Sequence, residues 1–288
     1  MELWDTYPPA SRLRRVLDIH DARNRVIPIS YRTQCRHSLD GVLDMNLMKM
    51  CAISDTHGYP FEVPPCDVFC HCGDWSPLDI QDDFVRMQDW LEEFLKHLCG
   101  LPCRHVVIIS GNHDMCMESM MLCHAFKDMQ YNLGLTTTVV EDGYPRHIAK
   151  VHYLNRDSII LDGVKFWGSP VTRQVNRYVK RWAFEVNAPS YEIPEDADIL
   201  LTHQPPSCNG LGNTYWKQNR PSKRLGSDEL KEAVWNSHAK LLLCGHIHTG
   251  NHSLTTLNNV AKTKACNVSM LDEQYEVRYP VAEFYLEV

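Results

Sequence analysis

The feature that most constrains this chain is a short polar run that directly follows an apolar, β-branched one. Residues 106–109 (VVII) have the composition of a buried strand, and residues 110–114 (SGNHD) follow without a break. Open α/β sheets bind ligands at the carboxyl ends of their strands. The amide of Asn112 and the imidazole of His113 are therefore expected at one edge of such a sheet.

Four further apolar runs end in polar residues of the same kind. The runs cover residues 47–53, 68–72, 198–202 and 240–244. Their polar ends, in chain order, are Asp55 with His57, then Asp74, then His203, and finally His246 with His248. Because the strands of one sheet system bring their carboxyl ends to the same edge, these side chains are expected to converge with those of the central run.

The predicted cluster contains oxygen and imidazole donors only. Such donors suit Zn, Mn, Fe or Mg, and the absence of cysteine disfavours a structural thiolate zinc site. One metal with an open position needs about three or four protein ligands, and this cluster supplies about twice as many. We therefore predict two divalent ions about 3.5–4 Å apart that share one carboxylate. Asp74 is the natural bridging ligand.

Each member of the cluster also has an ordinary structural explanation. An aspartate after a strand is often a helix cap, and a histidine on an apolar strand is usually a hydrogen-bonded core residue. Joint occurrence at five strand ends favours a site. Other histidines lack this placement and are predicted to be structural or surface residues, among them His71, His97, His105, His124 and His152.

Composition limits the classes of protein that this chain can belong to. Its 288 residues suit one large α/β domain. The net charge of -7 argues against a binder of nucleic-acid backbones. It does not exclude a phosphate substrate, because bound divalent cations reverse the local sign of charge. No apolar run approaches the length of a membrane span.

The 12 cysteines are predicted to be reduced. The chain starts with the acidic run MELWD, without the apolar segment of a signal peptide, and we therefore expect a cytoplasmic protein. The close spacing of Cys66, Cys70 and Cys72 suggests a zinc knuckle. No second Cys/His pair lies at finger spacing, which favours small apolar residues of a strand instead.

We divide the chain into an arm, residues 1–47, and a domain, residues 48–288. Prolines break the arm, which also carries a small basic cluster; it is predicted to pack on the domain, with a docking segment as the alternative.

Apolar spacing within the domain predicts a helix from Ile80 to Leu98, with Asp82 and Asp83 in its first turn and Gly100 as its stop. The remaining predicted elements are a Met-rich helix over 115–130, a hairpin turn at 162–163, a helix capped by Ser227, and edge strands towards residue 288.

Taken in order, these motifs resemble those of the calcineurin-like metallophosphoesterase superfamily. The motifs are DTH at 55–57, GD at 73–74, GNHD at 111–114, a histidine at 203, and GHIH at 245–248. A narrower resemblance, to the MPPED branch and the related class III cyclic nucleotide phosphodiesterases, rests on WGSP at 167–170, THQPP at 202–206 and NVS at 267–269.

The superfamily resemblance implies a fold, a ligand set and a mechanism. The fold is a four-layer α/β sandwich, in which two mixed β-sheets are flanked by helices. One ion is assigned to Asp55, His57, Asp74 and His248, and the other to Asp74, Asn112, His203 and His246. A water that bridges both ions attacks phosphorus in line. His113 is the expected proton donor to the leaving group, and Asp114 is expected to orient it.

The resulting functional prediction is a phosphodiesterase for a small phosphodiester or nucleotide, with a cyclic nucleotide as one candidate. Phosphoprotein phosphatases carry an arginine shortly after the Gly-Asp pair, whereas residues 75–78 here are WSPL. A phosphomonoesterase or protein phosphatase is the alternative, and a non-catalytic binding module of the same fold is the third hypothesis. Trp75, Trp167 and Trp182 are candidates for stacking on a base, although core roles are favoured.

Overall fold

The computed structural model describes residues 47–81, 83–118, 138–141, 144–174, 182–214 and 223–287. The predicted N-terminal arm, apart from its last residue, lies outside the described residues, as do residues 119–130 of the predicted Met-rich helix. The described start of that helix is a single turn.

The described chain alternates strands with a few short helices. The strands are β1 (Leu47–Ile53), β2 (Cys66–Cys72), β3 (Cys103–Ile109), β4 (Thr138–Glu141), β5 (Tyr144–His147), β6 (Lys150–Tyr153), β7 (Asp157–Leu161), β8 (Val164–Ser169), β9 (Thr172–Arg173), β10 (Glu185–Val186), β11 (Ile199–Thr202), β12 (Asn213–Thr214), β13 (Lys223–Arg224), β14 (Leu241–Cys244), β15 (Thr255–Thr256), β16 (Lys264–Asn267) and β17 (Ala282–Glu287). The helices are α1 (Phe84–Cys99), α2 (Met115–Glu118) and α3 (Asp228–Trp235).

Two mixed sheets form the centre of the fold. The first has the strand order β17-β1-β2-β3-β6, with β1, β2, β3 and β6 parallel and β17 antiparallel. The second has the order β15-β16-β14-β11-β8-β7, with its four central strands parallel and both edge strands antiparallel. Strands β15 and β17 are edge strands as predicted, whereas β16 pairs on both sides and its side chains are mostly buried.

Apolar side chains are distributed over three layers of core. Alternate residues of β1, such as Met50 and Ala52, face the second sheet, where they meet residues such as Phe166 and Leu201. The opposite face of the first sheet packs against α1, and the outer face of the second sheet packs against α3. The order helix, sheet, sheet, helix confirms the predicted four-layer α/β fold.

Helix α1 lies near its predicted position but begins later. Its buried stripe includes Leu91, Leu95 and Leu98, as the apolar spacing predicts. Asp83 is the N-cap, accepting a hydrogen bond from the backbone N–H of Arg86, and the first turn contains no acidic residue. The expected helical start at Ile80 is wrong because a capping aspartate takes an extended backbone and so ends the preceding turn. Asp82 lies outside the described residues.

Three local predictions agree with the structure. Asp162 and Gly163, with φ angles of 48° and 82°, form the turn between β7 and β8, as expected of a hairpin Asp-Gly pair. Ser227 caps α3, and its hydroxyl accepts a hydrogen bond from the backbone N–H of Leu230. Cys70 and Cys72 are buried between the sheets, as predicted for small apolar residues of a strand.

The two sheets meet at the carboxyl ends of their parallel strands. Ser54, just after β1, forms a parallel bridge with Ser269, just after β16. The backbone N–H of His246, just after β14, donates to the carboxylate of Asp55. The loops that carry the predicted ligands therefore lie side by side. Within the described residues, we find no helix with the length and apolarity needed to cross a membrane.

Candidate metal centre

Six of the predicted ligands form two compact groups at this shared edge. In the first, potential ligand atoms of Asp55, His57 and His248 lie within 4.8 Å of one another. In the second, the same holds for Asp74, His203 and His246. The structure thus brings together side chains that are nearly 200 positions apart in the sequence, with Asp74 in the second group.

The backbone at these strand ends is strained where it presents the ligands. Positive φ angles occur at Asp55, His57, Asp74 and His246 (54°, 45°, 54° and 67°). Residues other than glycine rarely adopt this conformation, and it costs on the order of 1–3 kcal/mol each. Such strain persists only where the surrounding contacts impose it, and it concentrates at functional sites.

Gly73 shows why a glycine precedes a ligand here. Its φ is 96°, and a Cβ at this position would lie 2.6 Å from the carbonyl oxygen of Ser110 and 2.7 Å from Nδ1 of His203. No other residue fits without moving these neighbours. The glycine therefore lets the loop after β2 approach both the loop after β3 and the ligand that follows β11.

Hydrogen bonds orient the predicted ligands of the first group. Asp55 accepts from the hydroxyl of Ser269 at 2.8 Å as well as from the backbone of His246. His248 donates from Nδ1 to the carbonyl oxygen of Asp272 at 2.9 Å, and its Nε2 lies 3.4 Å from Oδ1 of Asp55. An imidazole that donates one N–H to a backbone carbonyl leaves its other nitrogen available to a metal.

His203 is held in the same way within the second group. Its Nδ1 donates to the carbonyl oxygen of Cys72 at 2.9 Å, so that Nε2 points at two acceptors. These are Oδ1 of Asn112 at 3.0 Å and Oδ2 of Asp74 at 3.3 Å. If the imidazole were neutral, the lone pair on Nε2 would face both oxygens and repel them. A proton or a cation at Nε2 removes this repulsion. Asn112, predicted as a ligand from the sequence, thus lies beside the second group.

Asp74 faces both groups. Its Oδ2 lies 3.3 Å from Nε2 of His203 and 3.8 Å from Nε2 of His57. Its Oδ1 accepts a 2.7 Å hydrogen bond from the backbone N–H of His113, which fixes the carboxylate plane. This position between the groups is the one that a bridging carboxylate requires.

The environment of His57 indicates that the donors suit a metal. The residue is 3% exposed, and neither Nδ1 nor Nε2 has a hydrogen-bond partner among the residues that the structure describes. Buried polar atoms without partners are rare, because leaving one unsatisfied costs about 1–3 kcal/mol. A divalent cation between His57, Asp55 and Asp74 would remove this cost, so the residues present fit such an ion.

Burial and charge shift the pKa values in this cluster strongly. Burial lowers the pKa of His57 to about 4 and that of His246 to about 3, which keeps both imidazoles neutral and able to bind metals. Burial also lowers the pKa of His203, but the charge of Asp74 and a hydrogen bond to it outweigh this effect and raise the value to about 9. Burial opposes ionisation of Asp55, yet His248 and His203 hold its pKa well below the ordinary value.

His113 lies beside the cluster, and its partner is not the one predicted. Its Nδ1 donates to Oε1 of Gln81 at 3.0 Å, and its ring centroid lies 5.2 Å from that of His57. The expectation that Asp114 orients His113 is wrong. The Asp114 carboxylate is turned towards the loop after β2 and forms no hydrogen bond with the His113 ring. Nothing in the local sequence points to Gln81.

Asp114 instead joins the loops after β2 and β3, which carry predicted ligands, through hydrogen bonds. Its carboxylate accepts hydrogen bonds at 2.6–3.1 Å from five donors: the backbone N–H groups of Asp74, Trp75, Ser76 and Gly111, and the hydroxyl of Ser76. Burial and the nearby charge of Asp74 raise the pKa of Asp114 to about 7, against the effect of the bonds from Ser76 and Gly111.

His71 has a similar connecting role. Its Nδ1 accepts from the backbone N–H of Gly73 at 3.3 Å, so its Nε2 carries the proton and donates to Oγ1 of Thr56 at 3.1 Å. The ring is completely buried, and burial lowers its pKa to about 3. His71 is structural, as the sequence predicts, and it joins the loops that carry His57 and Asp74. Its place two residues before Gly73 is the only signal in the sequence.

Aromatic side chains occupy different positions around the centre. Trp75 and Trp167 are buried in the core, at 0% and 2% exposure. Trp182 is partly exposed, and its ring centroid lies 4.7 Å from that of His113. Tyr275, which no sequence motif marks, has its ring centroid 5.2 Å from that of His57 and 5.1 Å from that of His248. Only Trp182, of the three candidate tryptophans, borders the cluster.

Comparison with known proteins agrees with the sequence motifs. Residues 18–250 match the family model described as calcineurin-like phosphoesterase. Metallophosphoesterase domain-containing protein 1 of Homo sapiens is 26% identical over 216 residues, which cover 70% of this chain and 61% of the relative. The chain therefore matches less than two thirds of that protein's length. A UPF0046 protein of Caenorhabditis elegans is 24% identical over 242 residues, which cover 83% of this chain and 75% of that protein.

Structural comparison supports the same fold. One solved structure superposes with a TM-score of 0.53 at 12% identity, covering 77% of this chain and 90% of its own. At this level of identity the similarity shows the fold alone.

Proposed function

Because the chain belongs to the calcineurin-like phosphoesterase family, we propose that it is a metal-dependent phosphoester hydrolase acting on small phosphodiesters, with nucleotides, including cyclic nucleotides, as candidates. The observation that carries the proposal is the position of His57. A buried imidazole with two unpartnered nitrogens beside two carboxylates is costly in a scaffold and useful in a metal site.

We assign one divalent ion to Asp55, His57 and His248, and the other to His203, His246 and Asn112, with Asp74 shared by both. When bound, such ions lower the pKa of a water and neutralise charge on a phosphoryl group. The neutral donors His203, His246 and Asn112 would leave an ion held there the more electrophilic of the two, which would suit contact with a phosphoryl oxygen. The donor set, without cysteine, suits Mn, Fe, Zn or Mg.

His113 is the proposed acid for the leaving group. Its ring borders His57 without belonging to either ligand group. The hydrogen bond from its Nδ1 to Gln81 fixes the ring and leaves Nε2 as the atom that can deliver a proton. Proton donation to a departing alkoxide contributes about 10²–10⁴-fold in rate. Asp114 supports this assembly through the loops, not through the His113 ring.

A preference for diesters follows from the segment after Asp74. A phosphomonoester dianion carries one more negative charge than a diester and gains more from a nearby cation. Residues 75–78 include no basic side chain, and Trp75 and Ser76 are buried with their backbone N–H groups bound to Asp114. This segment therefore provides no group that would stabilise the additional negative charge of a phosphomonoester.

A cytoplasmic location is part of the proposal. The cysteines that the structure describes are all free thiols, which suits a reducing compartment. Identification of the compartment by fractionation, with the native protein detected by antibody, tests this point independently of activity.

The test compares bis-p-nitrophenyl phosphate with p-nitrophenyl phosphate, using the full chain loaded with Mn²⁺ and the same chain stripped with a chelator. We expect higher kcat/KM for the diester and no turnover without metal. Higher kcat/KM for the monoester would support the phosphomonoesterase or phosphatase alternative. Full metal occupancy with no turnover of either ester would support a non-catalytic binding module.

A further inference from the structure

Four aromatic rings form a continuous series of ring contacts beside the proposed metal centre. They belong to Tyr275, His57, His113 and Trp182, and consecutive centroids are 5.2, 5.2 and 4.7 Å apart. The two inner rings are a predicted ligand and the proposed acid. The outer two have no role in the chemistry described above. Tyr275 is 39% exposed and Trp182 is partly exposed, so both can meet a bound molecule.

Tyr275 is carried by a tight turn that also orients a ligand. The carbonyl oxygen of Asp272 accepts from Nδ1 of His248 and from the backbone N–H of Tyr275, each at 2.9 Å. The side chain of Asp272 accepts from the backbone N–H groups of Gln274 and Glu276 at 2.9 and 3.1 Å. These bonds close the turn and fix the Tyr275 ring relative to the metal centre.

The backbone of Tyr275 is strained. Its φ is 58°, in the left-handed region that a bulky aromatic residue seldom adopts. Asparagine or glycine would hold this turn more easily. Strain of this kind at a position beside a site indicates that the side chain itself has a use there.

Hydrogen bonds hold the segment of Trp182 beside the centre in an analogous way. The backbone N–H of its neighbour Ala183 donates to the carbonyl oxygen of Asn112 at 3.1 Å. The backbone N–H of Trp182 donates to Oε2 of Glu185 at 2.9 Å. Each outer aromatic residue is thus attached, through one hydrogen bond of its own segment, to a predicted metal ligand.

We propose that Tyr275 and Trp182 form an aromatic subsite for the planar group, a nucleobase or an aryl ring, of the phosphoester bound at the metal centre. The inference rests on the proposed function and adds a preference for nucleoside and aryl esters over alkyl esters. Aromatic side chains stack on any base, because every base presents a π-face, so the subsite selects planarity and not one particular base.

Equilibrium binding tests this subsite without relying on turnover. The full chain loaded with Mn²⁺ is titrated calorimetrically with adenosine 5′-monophosphate, ribose 5-phosphate and inorganic phosphate. We expect the nucleotide to bind about tenfold more tightly than ribose 5-phosphate. Tyr275→Asn removes the ring and suits the left-handed backbone, and Trp182→Ala removes the other ring. Each is expected to lose most of the tenfold difference while binding of ribose 5-phosphate stays within about twofold.

Matched controls separate stacking from support of the metal. Tyr275→Phe keeps the ring and should keep the preference. Tyr285→Ala removes a tyrosine from β17 that pairs with Lys49, at the opposite end of β1 from the ligands, and should change nothing. Metal content is measured for every variant by elemental analysis.

The proposed subsite would be wrong if the original chain bound the nucleotide and ribose 5-phosphate with equal affinity. An equal loss for all three phosphate ligands in Tyr275→Asn, accompanied by loss of metal, would show that the ring only supports the ligands. Retention of the base preference by a chain that hydrolyses no diester would contradict the proposed function and leave the subsite standing.

Discussion

Nε2 of His57 lies 3.8 Å from Oδ2 of Asp74, and within the described part of the chain neither nitrogen of the imidazole has a hydrogen-bond partner. The distance is too long for a hydrogen bond and suits two atoms that share an ion. Asp74 also faces His203, in the second group of donors. A single carboxylate therefore connects the two halves of the proposed centre.

Asp74→Asn should cost the chain metal and activity together. The amide keeps the shape of the side chain but removes the charge that both ions share. We expect less than about one metal ion per chain by elemental analysis after loading and desalting, compared with about two for the original chain. Asp79→Asn, which makes the same change at an exposed position, is the control and should retain both ions. Two ions in Asp74→Asn would show that Asp74 does not bridge.

His113→Ala should keep both metals and lose rate according to the leaving group. A p-nitrophenolate leaves without a proton, whereas a nucleoside alkoxide needs one. We expect a fall in kcat of about 10²–10⁴-fold for the alkoxide substrate and a much smaller one for the nitrophenyl diester. Equal slowing of both substrates at full metal occupancy would make His113 a binding group. Loss of metal would place it among the ligands.

Asp114→Ala should destabilise the fold, because five buried donors would lose their acceptor. Each unsatisfied buried donor costs about 1–3 kcal/mol, and relaxation of the loops recovers part of the total. We expect a loss of at least about 3 kcal/mol in the free energy of unfolding, measured by urea denaturation with chelator present. Asp79→Ala serves as the exposed control. Unchanged stability, with a change only in leaving-group dependence, would restore the original idea that Asp114 orients His113.

His71 should make stability depend on pH. Burial lowers its pKa from an ordinary 6.5 to about 3, so the folded chain keeps this imidazole neutral over that range. The unfolded chain takes up the proton as the pH falls below about 6.5, and the free energy of unfolding therefore decreases by about 1.4 kcal/mol per pH unit until the folded pKa is reached.

His71→Asn removes this proton while leaving an oxygen that can accept from the backbone N–H of Gly73. The free energy of unfolding, measured by urea denaturation, should fall between pH 6.5 and pH 5.0 by about 2 kcal/mol less in His71→Asn than in the original chain. Identical decreases in the two proteins would mean that His71 does not remain neutral in the folded chain.

The sequence predicts most of the centre because its signals are local. An apolar run that stops at a glycine followed by a polar residue, as at Gly73 and Asp74, marks both the strand and the place where its loop must turn. Parallel pairing then brings such ends together without further information. The same logic predicts the hairpin at Asp162 and Gly163, whose turn needs only its own two residues.

The sequence does not predict contacts that depend on how separate segments pack. Gln81 lies in an irregular stretch before α1, and only the folded arrangement places its amide beside His113. Adjacency in the sequence pairs Asp114 with the His113 ring, but the backbone N–H groups of the loop after β2 donate to the same carboxylate instead. In the sequence, nothing distinguishes Tyr275 from other tyrosines of exposed turns. Only the folded structure places His57 and His248 beside its ring.

Anomalous diffraction from crystals of the full chain loaded with Mn²⁺ tests the proposed binuclear centre most directly. We predict two peaks about 3.5–4 Å apart, with Asp74 in contact with both. One peak should contact Asp55, His57 and His248, and the other His203, His246 and Asn112. A single peak, or a pair of peaks in which His57 keeps both nitrogens free, would contradict the proposal that these donors form a binuclear centre.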